Sequence, residues 1–271
     1  MLPEHRKSNF ILTATHHGPL IVNRMDWQPD GDQSAYGVGV ELLETGAYQA
    51  GEVDTAVGIL ELRRKYFGNG VVAIDGGANI GVHPLEWAKA MHTWGKVAAF
   101  EPQERIYYAL AGNIALNNCG NAVAMHAALD ATSGVMTIPV PNHNNPANFG
   151  GLNLRGPIDI GQIVTDSAPV RTIAIDDLGL DRLDLLKLDV EGMEMEALLG
   201  ASKTISECLP VLMVEWIKVD KDALVHLGAE YGYEAFAFGQ NLIFVHRLDK
   251  TLDHVRHLHR TLLREKIQEV A

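Results

Sequence analysis

Short, almost wholly apolar runs recur along the chain, and most are separated by segments with the 3.6-residue period of a helix. Strands of this kind are buried on both faces, as in a parallel sheet that helices cover on both sides. The last two runs are separated only by Gly-Gln-Asn, which indicates an antiparallel hairpin at one edge. The runs are VVAI (71–74), KVAAF (96–100), AVAMHAAL (122–129), LDLLKL (183–188), PVLMV (210–214), YEAFAF (233–238) and LIFV (242–245). They predict an α/β fold with a doubly wound, mostly parallel sheet.

Three segments are predicted to form one globular unit. They are an N-terminal extension over residues 1–67, a ligand-binding domain over 68–247 and a C-terminal amphipathic helix over 248–271. The apolar positions of the last segment include Leu262 and Ile267, at spacings that favour a helix. We expect this helix to pack on its own domain, with a homodimer through the helix as the alternative.

The N-terminal extension is predicted to hold a hairpin and a helix. Two apolar runs around His-His-Gly predict a β-hairpin over residues 10–22, and the polar stretch 28–33 predicts a loop. Apolar residues at helical spacing predict a helix over residues 52–67, which ends at Gly-Asn-Gly.

The charge of the chain limits its partners. With 22 Lys and Arg against 34 Asp and Glu, the net charge is −12, and the absence of a basic cluster argues against a nucleic-acid partner. No apolar stretch approaches the roughly 20 residues of a membrane span. We therefore expect a cytoplasmic protein without a membrane span. The two cysteines, Cys119 and Cys208, provide neither a disulfide framework nor a zinc cage.

A glycine-rich turn follows the first predicted strand of the sheet, in VVAIDGGANIGVHP (71–84). Asp75 ends the strand, and Gly77 and Gly81 lie in the turn, where glycine lets the backbone approach a ligand. A dinucleotide-binding turn reads G-x-G-x-x-G and has no carboxylate at the position of Asp75. A carboxylate there would repel a pyrophosphate and favour an ammonium group. This preference indicates a cofactor that carries an amino acid.

Acidic residues also end three later strands. Glu101 follows the second strand, where an acid accepts hydrogen bonds from both ribose hydroxyls of an adenosine-containing ligand. Asp189 and Glu191 follow the fourth main strand, and Glu215 ends the fifth. Because ligands of open α/β sheets bind at the carboxyl ends of strands, we expect these acids to face one crevice. Helix capping is the alternative role for such acids.

Five segments of the chain resemble the FkbM-type S-adenosylmethionine-dependent methyltransferases and occur in the order of that family. They are AIDGGANIGVHP, AFEP, NFGGLNL, TIAIDDL and LKLDVEGMEMEALLGA, within residues 36–246. The resemblance implies a class I methyltransferase (Rossmann-like) fold. It also implies conversion of S-adenosylmethionine to S-adenosylhomocysteine, most commonly by methylation of a hydroxyl on a small molecule or a sugar-containing acceptor.

The same resemblance implies which residues hold S-adenosylmethionine. They are Asp75, Gly77, Ala78, Asn79, Gly81, Glu101, Ala127, Ala128 and Asp189. Two positions depart from the pattern of the family. Gly76 stands where an aliphatic residue is common, and Asn153 stands where Ser or Thr is expected. The second departure lies in the NFGGLNL loop and leaves the identity of the acceptor open.

Methyl transfer to a hydroxyl requires an acceptor held in line and a base that takes its proton. The candidate bases are His143, Asp189, Glu191 and Glu215. His143 lies in the loop over 141–156, which we expect to cover the site. The asparagines of this loop suit a polyhydroxylated acceptor such as a sugar, although turn chemistry explains them at least as well. No metal site is predicted, and Mg²⁺ is compatible with the sequence but not indicated.

Two other functions are compatible with parts of the sequence. The strand-glycine-helix unit and Glu101 also suit an NAD-dependent oxidoreductase, which the carboxylate of Asp75 and the absence of the G-x-G-x-x-G spacing disfavour. A non-catalytic cofactor-binding or assembly module of the same fold is the other alternative. The presence of Asp75, Glu101, Asp189 and Glu191 together weighs against it.

Overall fold

The N-terminal extension contains two hairpins and two helices in the computed structural model, which describes residues 8–31, 34–158 and 161–270. The elements are β1 (Phe10–Thr15), β2 (Gly18–Asn23), β3 (Gln28–Asp30), β4 (Ser34–Tyr36), α1 (Val38–Thr45) and α2 (Ala50–Phe67). The pairing of β1 with β2 confirms the hairpin predicted over 10–22. Helix α2 confirms the helix predicted over 52–67.

The loop predicted over residues 28–33 is wrong in part, because its first half is a strand. β3 pairs with β4 in antiparallel register, with Gln28 opposite Tyr36 and a turn at Gly31, whose φ is 69°. Pro, Gly and Asp are typical of turns, and their frequency in this segment favoured a loop over the two short strands. Helix α1 is absent from the prediction because eight residues are too few to display a helical period.

The rest of the chain alternates strands with helices. The elements are β5 (Val71–Gly76), α3 (Val82–Ala90), β6 (Gly95–Phe100), α4 (Glu104–Leu116), β7 (Ala122–Met125), β8 (Ala128–Leu129), β9 (Gly134–Pro141), β10 (Val164–Ile173), a 3-10 helix (Ile175–Leu178), β11 (Leu185–Leu188), α5 (Glu194–Leu199), α6 (Ser202–Cys208), β12 (Val211–Glu215), α7 (Lys221–Glu230), β13 (Tyr233–Phe238), β14 (Asn241–His246) and α8 (Leu252–Val270). Seven strands form the central sheet, in the order β13-β14-β12-β11-β5-β6-β7. Strand β14 is antiparallel to both neighbours, and the other pairs are parallel. The doubly wound, mostly parallel sheet with an antiparallel edge hairpin is confirmed.

The run over 122–129 forms two strands instead of the one that was predicted. β7 pairs with β6 in the central sheet, whereas β8 leaves that sheet and pairs with β10. Between them, the Ala127 N–H donates to the Met125 carbonyl (3.0 Å) and turns the chain. β10 also pairs with β9, and these two strands flank the long loop that contains residues 141–156.

The N-terminal extension shares the hydrophobic core of the central sheet. Leu20 of β2 belongs to the same buried cluster as Leu60 of α2 and Trp87 of α3. Asn113 of α4 is fully buried and holds β2 in place, because its side chain bonds the backbone N–H and carbonyl of Ile21 at 2.6 and 3.2 Å. The extension is therefore fixed relative to the carboxyl ends of the neighbouring strands.

Helix α8 begins against the edge of the sheet. Val255 is buried, and the Arg256 Nε lies 3.1 Å from Glu234 Oε2 on β13. The first turns of the helix thus pack on its own domain, as predicted. Leu262 and Ile267 lie outside the residues whose side chains the structure describes, so the homodimer stays a prediction. Among the described residues, no helix has the length and apolar composition that crossing a lipid bilayer requires.

Candidate active site

A cavity of about 560 Å³ opens at the carboxyl ends of β5, β6, β11 and β12. Small-molecule sites typically have volumes of about 300–1,000 Å³. Two parts of the chain form its wall. The strand-end half comprises the lining residues within 77–240, and the N-terminal half comprises those within 30–49, among them Asp30, Tyr36, Glu41, Tyr48 and Gln49.

The turn after β5 packs its backbone directly against the end of β11. Gly77 has a φ of 76°, and a Cβ there would lie 1.7 Å from the Asp189 carbonyl oxygen. Any side chain at this position would therefore push the two strand ends apart. Asn79 also has a positive φ of 49°, and its Oδ1 accepts the Ile80 N–H at 2.7 Å. The lining residues of this turn include Gly77, Ala78, Asn79 and Gly81.

Glu101, directly after β6, connects two backbone segments at the cavity wall. Its Oε2 accepts the Asn79 N–H at 3.0 Å, and its Oε1 accepts the Gln103 N–H at 2.8 Å. Burial raises the pKa of Glu101 to about 8, although these two bonds oppose the rise. A carboxylate oxygen accepts more than one hydrogen bond. The ribose contacts predicted for Glu101 are therefore compatible with its position.

A lysine that the sequence analysis missed lies between two of the predicted acids. Lys187 of β11 is 2% exposed, and its Nζ lies 3.2 Å from Asp189 Oδ2 and 3.8 Å from Asp75 Oδ1. Burial alone lowers the pKa of a lysine, but the attraction of Asp189 and Asp75 outweighs burial and raises it. Lys187 therefore stays charged. The sequence signal that could have identified Lys187 is a lysine within an otherwise apolar, buried strand.

Asp75 lies behind the cavity wall instead of on it. Its side chain is 1% exposed, and neither carboxylate oxygen has a hydrogen-bond partner in the described part of the chain. Burial raises the pKa of Asp75 to about 7, and the charge of Lys187 opposes this rise. Lys187 thus provides one ammonium group close to Asp75. A contact between Asp75 and a cofactor stays a prediction.

Asp189, Glu191 and Glu215 each place one carboxylate oxygen within 4.8 Å of the others. Three like charges at this separation need compensation. Lys187 compensates Asp189, and the Lys218 Nζ lies 2.6 Å from Glu191 Oε2. Burial, followed by repulsion from neighbouring carboxylates, raises the pKa of Glu191 to about 7 and that of Glu215 to about 9. Glu215 therefore binds a proton more tightly than an ordinary carboxyl group.

The same three carboxylates are the described residues that could hold a metal ion. Oxygen ligands of this kind suit Mg²⁺ or Ca²⁺. A divalent cation would compete with Lys187 and Lys218, which already contact two of the three. The expectation that the site needs no metal stays a prediction.

The loop that contains residues 141–156 covers the cavity largely through its backbone. The Gln103 Nε2 donates to the Phe149 carbonyl (2.8 Å), and the Lys218 Nζ donates to the Gly151 carbonyl (2.6 Å). From the N-terminal extension, the buried Asp26 Oδ1 accepts the Phe149 N–H at 3.0 Å. Burial raises the pKa of Asp26 to about 7 against the effect of this hydrogen bond. The loop is therefore tied to both parts of the chain that form the cavity.

The asparagines of this loop act mainly in turns. Asn148 Oδ1 accepts the Gly151 N–H at 3.2 Å, and Asn153 Oδ1 accepts the Arg155 N–H at 3.0 Å. Within residues 141–156, all of which the structure describes, Asn148 is the asparagine that lines the cavity. Turn chemistry thus accounts for most of them.

His143, one of the four predicted bases, does not line the cavity. Its buried ring stacks on Phe149, with the ring centroids 4.3 Å apart, and its Nδ1 lies 3.3 Å from Asn23 Nδ2. Burial, and then the charge of Arg105, lowers the pKa of His143 to about 4. The structure thus separates His143 from the three carboxylates. The sequence places His143 in the covering loop but does not show on which side of the loop its ring packs.

Of four further lining residues, two were predicted from the sequence and two were not. Ala127 and Ala128, which were named, line the cavity at the end of the third strand. His83 and Gln103, which were missed, line it too, with only 6% and 8% of each residue exposed. His83 Nε2 and Gln103 Oε1 have no hydrogen-bond partner in the described chain. Each lies two residues after a predicted site residue, Gly81 or Glu101. This spacing is the sequence signal that could have identified them.

The N-terminal half was not predicted to reach the site. The Tyr48 N–H donates to His17 Nε2 (3.1 Å), and the Gln49 N–H donates to Glu41 Oε1 (3.2 Å). Burial, and then the charge of Asp189, raises the pKa of Tyr48. Tyr48 and Asp189 thus line the same cavity from its two halves.

Solved structures of methyltransferases overlap with parts of this chain. A methyltransferase FkbM from Methylobacillus flagellatus is 18% identical, with 68% of this chain and 47% of that chain covered and a TM-score of 0.45. A SAM-dependent methyltransferase from Aquifex aeolicus is 11% identical, with 73% of this chain and 97% of that chain covered and a TM-score of 0.36.

Sequence comparison gives a family match over the centre of the chain. Methyltransferase sdnD of Sordaria araneosa is 31% identical in an alignment 168 residues long that covers 52% of this chain and 64% of sdnD. The chain thus spans less than two thirds of that relative. The family model described as methyltransferase FkbM domain matches residues 75–238, which include most of the strand-end half. With more than half of its residues matched by that model, the chain belongs to the FkbM methyltransferase family.

Proposed function

We propose that this chain is an S-adenosylmethionine-dependent methyltransferase that methylates a hydroxyl of a small polar acceptor, such as a sugar-containing molecule. One observation carries the proposal. One cavity is lined by the turn over Gly77 to Gly81, by Glu101, which is expected to accept hydrogen bonds from ribose hydroxyls, and by the carboxylates of Asp189, Glu191 and Glu215. Family membership supports methyl transfer as the reaction class.

The strand-end half fits a ligand that joins a nucleoside to a positively charged group. Glu101 retains acceptor capacity for ribose hydroxyls, and the buried Gln103 Oε1 lacks a donor. Near Glu215, the excess of carboxylates favours a cation, because a nearby positive charge lowers the free energy of an ionised acid. When bound, S-adenosylmethionine supplies the electrophilic methyl group on its sulfonium.

Glu215 is the proposed base. Asp189 accepts a hydrogen bond from Lys187, and Glu191 contacts Lys218. Glu215 has no cation within ion-pair distance in the described chain. A positive charge in the cavity would lower its pKa from about 9 towards neutrality, where a general base is most effective. Ionised Glu215 then accepts the proton of the acceptor hydroxyl.

Calorimetric titration of the whole chain tests the cofactor. S-adenosylmethionine, S-adenosylhomocysteine and NAD are titrated separately, and we expect saturable binding of the first two only. Glu101→Gln weakens that binding by about twofold to tenfold, because the amide nitrogen of Gln replaces one acceptor oxygen and a neutral hydrogen bond contributes about 0.5–1.5 kcal/mol. The matched control is Glu104→Gln, an exposed acid at the start of α4. Saturation by NAD without either sulfur ligand contradicts the proposal.

A further inference from the structure

A continuous series of hydrogen bonds runs from the cavity wall at Glu101 to the covering loop, which contains residues 141–156. It begins at Glu101, whose Oε1 accepts the Gln103 N–H at 2.8 Å. The side chain of Gln103 continues the series, because its Nε2 donates to the Phe149 carbonyl at 2.8 Å. Gln103 thus joins the acid that is expected to bind ribose to the backbone of the loop that covers the cavity.

The series continues into the N-terminal extension through Asp26. Asp26 Oδ1 accepts the Phe149 N–H at 3.0 Å, and the Asp26 carbonyl accepts the Val40 N–H at 3.1 Å. Val40 belongs to α1, which contributes Val38 and Glu41 to the wall of the cavity. The two ends of the series therefore lie in the strand-end half and the N-terminal half.

Burial makes this series sensitive to the position of each member. The four residues Glu101, Gln103, Phe149 and Asp26 are each at most 8% exposed. A buried donor or acceptor that loses its partner has no water at hand to replace it. Chains of hydrogen bonds and packed side chains carry energetic coupling between separate sites. A displacement of one member is therefore costly unless its neighbours move with it.

Another glutamine holds the same loop without this connection. The Gln162 Nε2 donates to the Asn148 carbonyl at 2.5 Å. Gln162 does not line the cavity, whereas Gln103 does. In the described part of the chain, the side chain of Gln162 has no hydrogen bond to Glu101, whose carboxylate accepts the N–H groups of Asn79 and Gln103. The link from Glu101 to the loop therefore depends on Gln103.

We propose that Gln103 is a positioning residue for methyl transfer, through which cofactor binding at Glu101 fixes the covering loop and the start of α1. Ribose hydroxyls that donate to Glu101 hold its carboxylate in place, Gln103 holds the Phe149 carbonyl, and the Phe149 N–H holds Asp26. The walls around the acceptor are thus fixed once the cofactor is bound. This assignment rests on the proposed function, because it takes the ligand of Glu101 to be S-adenosylmethionine.

Amide hydrogen exchange of the whole chain, with and without saturating S-adenosylhomocysteine, tests the assignment. NMR follows the amides of Phe149 and Val40, since each donates to Asp26. In the wild type we expect the ligand to slow both exchange rates at least about tenfold, because ligand at a hundred times its dissociation constant suppresses opening by up to about a hundredfold. Gln103→Met has a side chain of similar length without a donor. In this variant we expect faster exchange, which the ligand slows by about twofold or less.

The control variant is Gln162→Met, which removes the other glutamine donor from the same loop. We expect it to speed exchange in the loop but to leave the slowing by S-adenosylhomocysteine intact. Each variant is first titrated calorimetrically, and the ligand concentrations are set to equal saturation. If Gln103→Met behaves like this control, Gln103 only supports the loop, and the assignment is overturned.

The calorimetric titration of the wild type separates the two proposals. Absence of binding there overturns the proposed function, and the assignment with it. If the ligand binds but the Phe149 and Val40 amides exchange at unchanged rates, only the assignment is overturned. Loss of binding in Gln103→Met also overturns it, because Gln103 would then act on the cofactor directly. If that variant does not fold, the Gln103 Nε2 protons of the wild type decide. The ligand must slow their exchange together with that of the Phe149 amide, and an unchanged rate overturns the assignment.

Discussion

The two halves of the cavity differ in how their charged side chains are paired. In the strand-end half, Lys187 lies between Asp75 and Asp189, and Glu101 accepts two backbone N–H groups. In the N-terminal half, Glu41 meets one backbone N–H and no cation in the described chain. Asp189 and Glu101 are thus stabilised by groups of the fold, whereas Glu215 of the strand-end half and Glu41 of the N-terminal half have no ion-pair partner in the described chain.

Glu215 is the acid of the strand-end half that we propose as the base, and its removal has the largest expected effect. Glu215→Gln keeps the shape of the side chain but cannot accept a proton. We expect turnover to fall by about 10²–10⁴-fold, the typical contribution of a general base, with little change in the affinity for S-adenosylhomocysteine. Single-turnover methyl transfer and calorimetry measure the two quantities.

The control for Glu215 is Glu207→Gln, an exposed acid of α6 that should leave both quantities unchanged. If Glu215→Gln retains the wild-type rate, the base is another residue. In that case Asp189→Asn is the next variant to measure, because Asp189 belongs to the same group of three carboxylates.

Lys187→Met tests whether the strand-end half depends on internal charge compensation. The substitution leaves Asp75 and Asp189 without their buried cation. Removing one partner of a buried ion pair costs about 3–5 kcal/mol of unfolding free energy, and urea denaturation measures this loss. The loss is expected to be smaller at low pH, where Asp75, whose pKa burial raises to about 7, is protonated. Lys96→Met, an exposed lysine of β6, should change stability by only about 0.5 kcal/mol. An equal effect of both variants contradicts the comparison.

The strand-end half was largely predictable from sequence because hydrophobic runs reveal buried strands. The residue after each parallel strand lies at the same edge of the sheet, so Glu101, Asp189 and Glu215 could be grouped before the structure was known. Lys187 was missed because its partner Asp75 is adjacent only through the pairing of β11 with β5. Which strands pair is a tertiary property, and local periodicity does not contain it.

The N-terminal half was not predictable by the same reasoning. Its residues lie on two three-residue strands, the eight-residue helix α1 and the segment after that helix, which are too short for a periodic signal. His143 illustrates a related limit. Its ring is directed by stacking on Phe149, a contact between side chains that the loop composition does not specify.

Asp26 joins the N-terminal extension to the covering loop, and its variants have the smallest expected effect. The raised pKa of about 7, against an ordinary 3.8, means that the folded chain binds this proton more tightly than the unfolded chain. The contribution of Asp26 to stability is therefore complete below about pH 4 and declines as the pH rises towards about 7. Asp26→Asn retains an acceptor for the Phe149 N–H without the titrating charge.

Comparison of Asp26→Asn with Asp26→Ala separates the charge from the hydrogen bond. Asp26→Asn should unfold with less pH dependence than the wild type between about pH 5 and about pH 8, because no charge forms in the folded state. Asp26→Ala leaves the Phe149 N–H unpaired and should be about 1–3 kcal/mol less stable than Asp26→Asn at either pH. Urea denaturation at the two pH values measures both effects. If the Asn variant keeps the full pH dependence of the wild type, the titrating group belongs to the strand-end half, where Asp75 has a similarly raised pKa. The link between the two halves would then depend on the hydrogen bond alone.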